Sequence, residues 1–177
     1  MTEPTPLPQT PSFERVVQTD RIRPGDPVEA RLTMDETDRA RLATAFGVPG
    51  IAMLEGEARA ARRAGLIEVE GEVRARMTRE CVASLEPMEE AIREDFLVTY
   101  TERPAPLPEG ETEADLDAPE PIEDGRIDLG AVLIEQVVLA MDPHPRIEGA
   151  EAPADPGAGA TVTPFDVLKQ LQTSREE

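Results

Sequence analysis

Leu66-Ile67-Glu68-Val69-Glu70-Gly71-Glu72-Val73-Arg74-Ala75-Arg76-Met77-Thr78-Arg79 alternates apolar and charged residues along nearly its whole length. Ile67, Val69, Val73, Ala75 and Met77 share one parity; Glu68, Glu70, Glu72, Arg74 and Arg76 share the other. Side chains of a strand point alternately to its two faces, so this pattern predicts a long strand with one buried and one wet face. A partner strand over Ile51 to Ala61 precedes it, joined through Arg62-Arg63-Ala64-Gly65. With the turn centred near residues 63–64, Arg59 is expected to face Glu68, and Glu57 to face Glu70. A third strand follows, with Met88, Ile92, Phe96, Val98 and Tyr100 on one parity. Long strands with short connections predict an antiparallel sheet.

Working outward, Phe13 to Thr19 reads as a short strand, Arg23-Pro24-Gly25-Asp26-Pro27 as a turn, and Val28 to Met34 as a second short strand. Asp35 suits the N-cap of a helix running to about Phe46, with Leu42 and Phe46 on one face and Gly47 and Pro49 ending it. On the C-terminal side, residues 102–124 hold nine carboxylates, one arginine and many prolines. Such a stretch buries too little apolar surface to offset its ordering entropy, so an acidic, disordered insert is expected. Order is expected to resume at Ile127. Asp128 suits the N-cap of a helix from Leu129 to about Ala140, apolar around most of its girth and therefore largely buried or bound to a partner. Asp142-Pro143-His144-Pro145 stops it.

The expected fold class is α+β: a mostly antiparallel β-sheet with long central strands, two or three helices, and disordered acidic and Pro-rich segments. One domain spans 13–147, after a disordered tail over 1–12. An Ala/Gly/Pro linker over 148–163 leads to a C-terminal helical segment over 164–177. There Phe165, Leu168 and Leu171 are spaced to fold back on the sheet or to dock on another protein.

Of the chain's 177 residues, 37 are acidic and 18 basic, a net charge of −19. Residues 1–80 hold 14 acidic and 12 basic side chains; residues 81–177 hold 23 and 6, a net of −17. A polyanion is repelled by that second half, because nucleic-acid affinity rests on Lys and Arg displacing counterions. Basic partners are favoured instead. One cysteine excludes an intramolecular disulfide framework and fits a reducing compartment. The most apolar window, Leu129 to Met141, is too short and too polar to span a bilayer. A cytoplasmic location with no membrane partner is the expectation.

Catalytic chemistry finds little to build on. The single Cys81 and single His144 lack any supporting signature, and two N/S ligands fall short of a zinc site. Cys81 reads as a small buried hydrophobe at a strand end, and His144 as an exposed turn residue. No catalytic residue, metal, cofactor or small-molecule substrate is expected. Arg59, Arg62, Arg63, Arg74, Arg76 and Arg79 form the local basic cluster, of which Arg62, Arg63, Arg74 and Arg76 are the candidate RNA contacts. Interleaved Glu57, Glu68, Glu70 and Glu72 and the scarcity of aromatics favour a salt-bridged, solvated face there.

Two passages carry a family resemblance: Cys81-Val82-Ala83-Ser84-Leu85-Glu86-Pro87-Met88 with the strand after it, and Ile127-Asp128-Leu129-Gly130-Ala131-Val132-Leu133-Ile134-Glu135-Gln136 running to Pro145. Their order, spacing and intervening acidic loop resemble the YceD family of large ribosomal RNA subunit accumulation proteins over roughly residues 13–171. Val82-Ala83-Ser84 departs from the form many members carry after this cysteine, and further cysteines of some relatives are missing, so no metal site carries over. The resemblance implies a non-enzymatic role in 23S rRNA accumulation and large ribosomal subunit biogenesis. Its motif residues map onto Cys81, Leu85, Glu86, Pro87, Ile127, Asp128, Leu129 and Glu135. The partner expected is a basic ribosomal protein or large-subunit precursor, with direct contact to 23S rRNA through the hairpin arginines as the alternative.

Overall fold

The turn between the two long central strands closes on Ala64-Gly65, whose φ angles of 49° and 87° are both left-handed. Two-residue hairpins with positive φ at both positions match the natural twist of the strands, and Gly65 takes that conformation without steric penalty. In this computed structural model, which describes residues 13–103 and 118–151, the flanking strands are β3 (Gly50–Arg63) and β4 (Leu66–Glu80). Arg63 consequently pairs with Leu66, Arg59 with Glu70 and Glu57 with Glu72. The register differs by two residues from a turn at 63–64, because the hairpin centres on the position where glycine relieves the backbone.

In chain order the described elements are β1 (Val16–Gln18), a 3-10 turn (Thr19–Arg21), β2 (Val28–Thr33), α1 (Glu36–Phe46), β3, β4, β5 (Pro87–Thr101), β6 (Glu120–Pro121), β7 (Arg126–Asp128) and α2 (Leu129–Ala140). The main sheet has the order β2-β3-β4-β5-β6 and is antiparallel apart from the short β5–β6 contact. The α+β expectation is met, with a mostly antiparallel sheet and two α-helices.

Ile67, Val69, Val73, Ala75 and Met77 of β4 are all buried, as are Ile92, Phe96 and Tyr100 of β5. These faces share one core with Leu42 of α1 and with Leu129, Val132, Leu133, Ile134 and Val137 of α2. Asp35 caps α1 by accepting the Asp38 amide at 2.8 Å, and Gly47 ends it in the left-handed conformation. Asp128 accepts the Gly130 amide at 2.9 Å at the start of α2.

The strand expected over Phe13 to Thr19 is shorter, because Thr19 begins the 3-10 turn and Leu129, opposite Arg15, begins α2. The Arg15 carbonyl accepts from Leu129, and the Thr19 amide donates to Gly125, both at 2.9 Å. What remains is the three-residue pairing of β1 with β7. Of the insert expected over 102–124, residues 102–103 and 118–124 are described. Glu120 and Pro121 pair with Tyr100 and Thr101, and the Ile122 amide donates to the Thr101 carbonyl at 2.9 Å. The chain thus rejoins the sheet before Ile127, with Ile122 packed against the core. The 1–12 tail, the rest of the insert, the linker beyond residue 151 and the helical segment over 164–177 lie outside the described residues.

Candidate functional site

Beyond β4 the chain reverses through a tight loop held by backbone bonds. The Cys81 amide donates to the Glu86 carbonyl, and the Leu85 amide to the Cys81 carbonyl, both at 2.9 Å. Closing the loop places Leu85 at φ 61° with 62% of its surface exposed. A bulky residue in left-handed backbone is an outlier, and here it is an exposed apolar one. Pro87 opens β5, a position that tolerates a missing N–H.

The Cys81 sulfur is buried inside this loop and accepts two amides at 3.4 Å, from Ser84 and from Ile147. The Val82 amide donates to the Pro145 carbonyl at 2.9 Å. Cys81 therefore ties its own loop to the segment leaving α2, a role beyond that of a small hydrophobe. The Ser84 hydroxyl, followed by the Ser84 and Ile147 amides, brings the thiol down from 9.0 to about 7. These groups stabilise a thiolate but supply no base. His144 is exposed, and its amide is held by Asp142. Among the described residues, no group of three or more His, Cys, Asp and Glu side chains is placed to hold a metal ion.

Alongside lies an ion pair that sequence reasoning missed. Arg79 meets Glu90 at 2.6 Å, each side chain only 13% exposed. Arg79 also donates to the Asp142 carbonyl, and Glu90 accepts the Asp142 amide. The pair locks the exit of α2 onto the sheet. Its signal was parity: Arg79 continues the buried series Ile67 to Met77, and Glu90 falls between Met88 and Ile92, so both charges occupy core-side positions.

Ile127, Asp128 and Leu129 sit at the far end of α2, about 18 Å away for a twelve-residue helix, and Glu135 lies midway along it. Ile127 and Leu129 are buried, while Asp128 joins the Gly130 cap to an amide bond from Arg15 at 2.9 Å. Glu135 is exposed on α2. Burial, then the charges of Glu120 and Glu135, push the Tyr100 hydroxyl upward, so these three groups converge where β5 meets β6.

The candidate RNA contacts do not form one surface. Arg62 lies on the core side of β3, donating to the Ile22 and Thr19 carbonyls at 3.0 and 2.8 Å and pairing with Glu102 at 2.9 Å. Hydrogen bonds from Arg62 and Thr19 hold the Glu102 carboxyl below its ordinary value. Arg63, Arg74 and Arg76 share the outer face with Arg31, Arg59 and Arg93. Arg63 pairs with Glu68 at 3.2 Å, Arg59 with Glu70 at 2.7 Å, and Arg31 with Glu57 at 2.6 Å. Glu72 binds both Arg74 and Arg93. Desolvation pushes Glu72 up, but those two guanidinium bonds outweigh it and hold the carboxyl below its ordinary value. This lattice also relieves the facing carboxylates Glu57 and Glu72. Arg76 has no ion pair among the described residues.

A family model described as Large ribosomal RNA subunit accumulation protein YceD matches residues 69–172. The matched range begins within β4, later than the resemblance over 13–171, and takes in the Cys81 loop, β5 and α2. No curated protein and no solved structure matches the chain.

Proposed function

The chain belongs to the YceD family, and from that premise we propose that it is a non-enzymatic accessory factor in large ribosomal subunit biogenesis, supporting 23S rRNA accumulation by binding a basic ribosomal protein or precursor particle in the cytoplasm. One observation carries the choice of a protein over RNA as the direct partner: the hairpin arginines are spent on neighbouring carboxylates. Arg62, Arg63 and Arg74 each have an acidic partner, leaving Arg76 among the four candidate RNA contacts. The excess charge is negative and belongs to the half of the chain beyond residue 80. Such a surface attracts cationic partners and repels a phosphate backbone.

Recovery of bound components from cell lysate at low and high salt tests this reading. Ribosomal proteins or large-subunit precursors should be enriched at low salt and lost at high salt. In a deletion strain, the wild-type chain should restore 23S rRNA levels, whereas a variant with its exposed carboxylates beyond residue 80 neutralised should not. Full rescue by that variant refutes electrostatic partner capture. Affinity for 23S rRNA fragments that falls in an Arg63/Arg74/Arg76→Ala variant, with a shallower salt dependence, would establish the RNA alternative.

A further inference from the structure

Among the described residues the main sheet ends on an open edge. β5 is fifteen residues long, yet among those residues its outer side is paired only at Tyr100 and Thr101, by the two-residue β6. From Pro87 to Thr99 no strand lies beyond it among the described residues. An unpaired strand edge presents a row of backbone donors and acceptors ready for another chain. β2, at the opposite edge, is only six residues long.

Both walls of this vacant lane are visible. α2 runs beside β5, with Glu135 near Tyr100 and Glu120 at one end and the Asp142 amide on Glu90 at the other. Between those two points α2 carries Val138 and Leu139, which are 41% and 71% exposed and lie one helical turn beyond Glu135. On the outer face of the sheet, β5 presents Leu97, 61% exposed. The lane is thus flanked by apolar side chains that no described element covers.

Its charge selects the occupant. Arg93 is engaged by Glu72 and Glu90 by Arg79, so Glu89, Glu94 and Asp95 remain without ion pairs among the described residues. A second copy of β5 would set these carboxylates against their like, which disfavours self-pairing. The insert following β5 is itself acidic and proline-rich, chemically the wrong strand for this edge. We propose that the outer edge of β5, from Pro87 to Thr99, accepts an extended segment of a partner protein alternating basic and apolar residues, which pairs as an added strand in line with β6. Backbone bonds supply the pairing; Val138 and Leu139, on the α2 side, meet the segment's apolar residues, and Glu89 and Asp95, on the outer face, meet its Lys and Arg. This identifies a docking surface for the basic partner and rests on the protein-binding reading above.

A short alternating Lys-Val peptide is the probe, added to the full chain while amide hydrogen exchange is followed residue by residue. Slowed exchange concentrated over residues 87–99 is expected. Methylating alternate peptide nitrogens on the pairing side should abolish binding, and a Glu89→Lys/Asp95→Lys chain, whose altered residues are exposed, should bind roughly tenfold or more weakly. Absence of binding, protection centred elsewhere, or indifference to N-methylation overturns the proposal. Lysate recovery separates it from the broader reading. If wild type and Glu89→Lys/Asp95→Lys recover ribosomal components equally, the β5 edge is excluded while capture of a basic partner stands; if wild type recovers none, that broader reading falls.

Discussion

Gly130→Ala sets two effects of opposite sign against each other. Alanine is the better helix former by about 1 kcal/mol, so on propensity alone this change inside α2 should stabilise the protein. The structure requires the reverse: a Cβ at Gly130 would stand 1.6 Å from the backbone oxygen of Phe13. Neither a helix backbone nor a carbonyl can yield that distance by rotating a side chain, so the segment through Phe13 and Arg15 must lift away. Lifting it breaks the bonds from Leu129 to Arg15 and from Arg15 to Asp128, at about 1 kcal/mol each. It also uncovers Phe13, which is 1% exposed and contributes about 2 kcal/mol through burial. After the propensity gain is deducted, the net loss is roughly 3 kcal/mol, a large share of the stability of a small domain. Chemical denaturation followed by circular dichroism measures it, with Ala131→Gly on the exposed side as a control that should lose only about 1 kcal/mol. An unchanged or raised midpoint for Gly130→Ala would refute the close crossing of the N-terminal strand over α2.

Glu90→Gln removes the partner of a mostly buried guanidinium and should destabilise the fold by about 3 kcal/mol, whereas Arg79→Leu/Glu90→Leu should recover part of it; equal loss in both proteins argues against a buried pair. Because the Cys81 pKa is depressed in the fold, the thiolate contributes stability that is fully present above 9.0 and lost as pH falls through about 7. Ultraviolet absorbance of the thiolate should titrate near 7 in the native protein and higher in Ser84→Ala, and stability should lose this pH dependence in Cys81→Ala; a native titration near 9.0 contradicts the assignment. At the hairpin, Ala64→Asn places a residue tolerant of left-handed backbone at φ 49° and should raise stability by about 0.5 kcal/mol in thermal denaturation, with a drop counting against this turn geometry.

Where a segment's periodicity was long and its caps local, the sequence was readable. β4 buries the residues its parity predicts, β5 buries Ile92, Phe96 and Tyr100 while leaving Met88 and Val98 half-buried, and both helices begin after the acidic caps expected. Register was less readable, since moving the turn by a single position re-pairs every residue of the hairpin. Facing Glu57 and Glu72 look unfavourable until Arg31 and Arg93 arrive from β2 and β5, which no local reading supplies. The same holds at the candidate site. From its residue type at a strand end Cys81 reads as a small buried hydrophobe, but nothing local shows that its sulfur receives an amide from Ile147, 66 residues away. Arg62 read as part of a basic cluster because its neighbours in sequence are basic. In space it turns to the core side and bonds to carbonyls of the 3-10 turn region.

The motif residues divide by what their side chains do. Cys81, Ile127, Asp128 and Leu129 are absorbed in holding the two ends of α2 to the sheet and to β1, so a demand for those residue types is already met by folding. Leu85 and Glu135 are different: one is an exposed apolar residue in left-handed backbone, the other an exposed carboxylate beside the start of the vacant β5 edge. Folding alone gives little reason for either, since a polar residue or glycine suits the Leu85 position better. Function should therefore be sought along the line joining them, which is the edge of β5 from its opening at Pro87 to its contact with β6. Substituting Leu85 by Asn should leave the fold as stable or slightly more so while weakening partner recovery. Parallel loss of stability and recovery would instead make Leu85 a structural residue and remove that end of the surface from consideration.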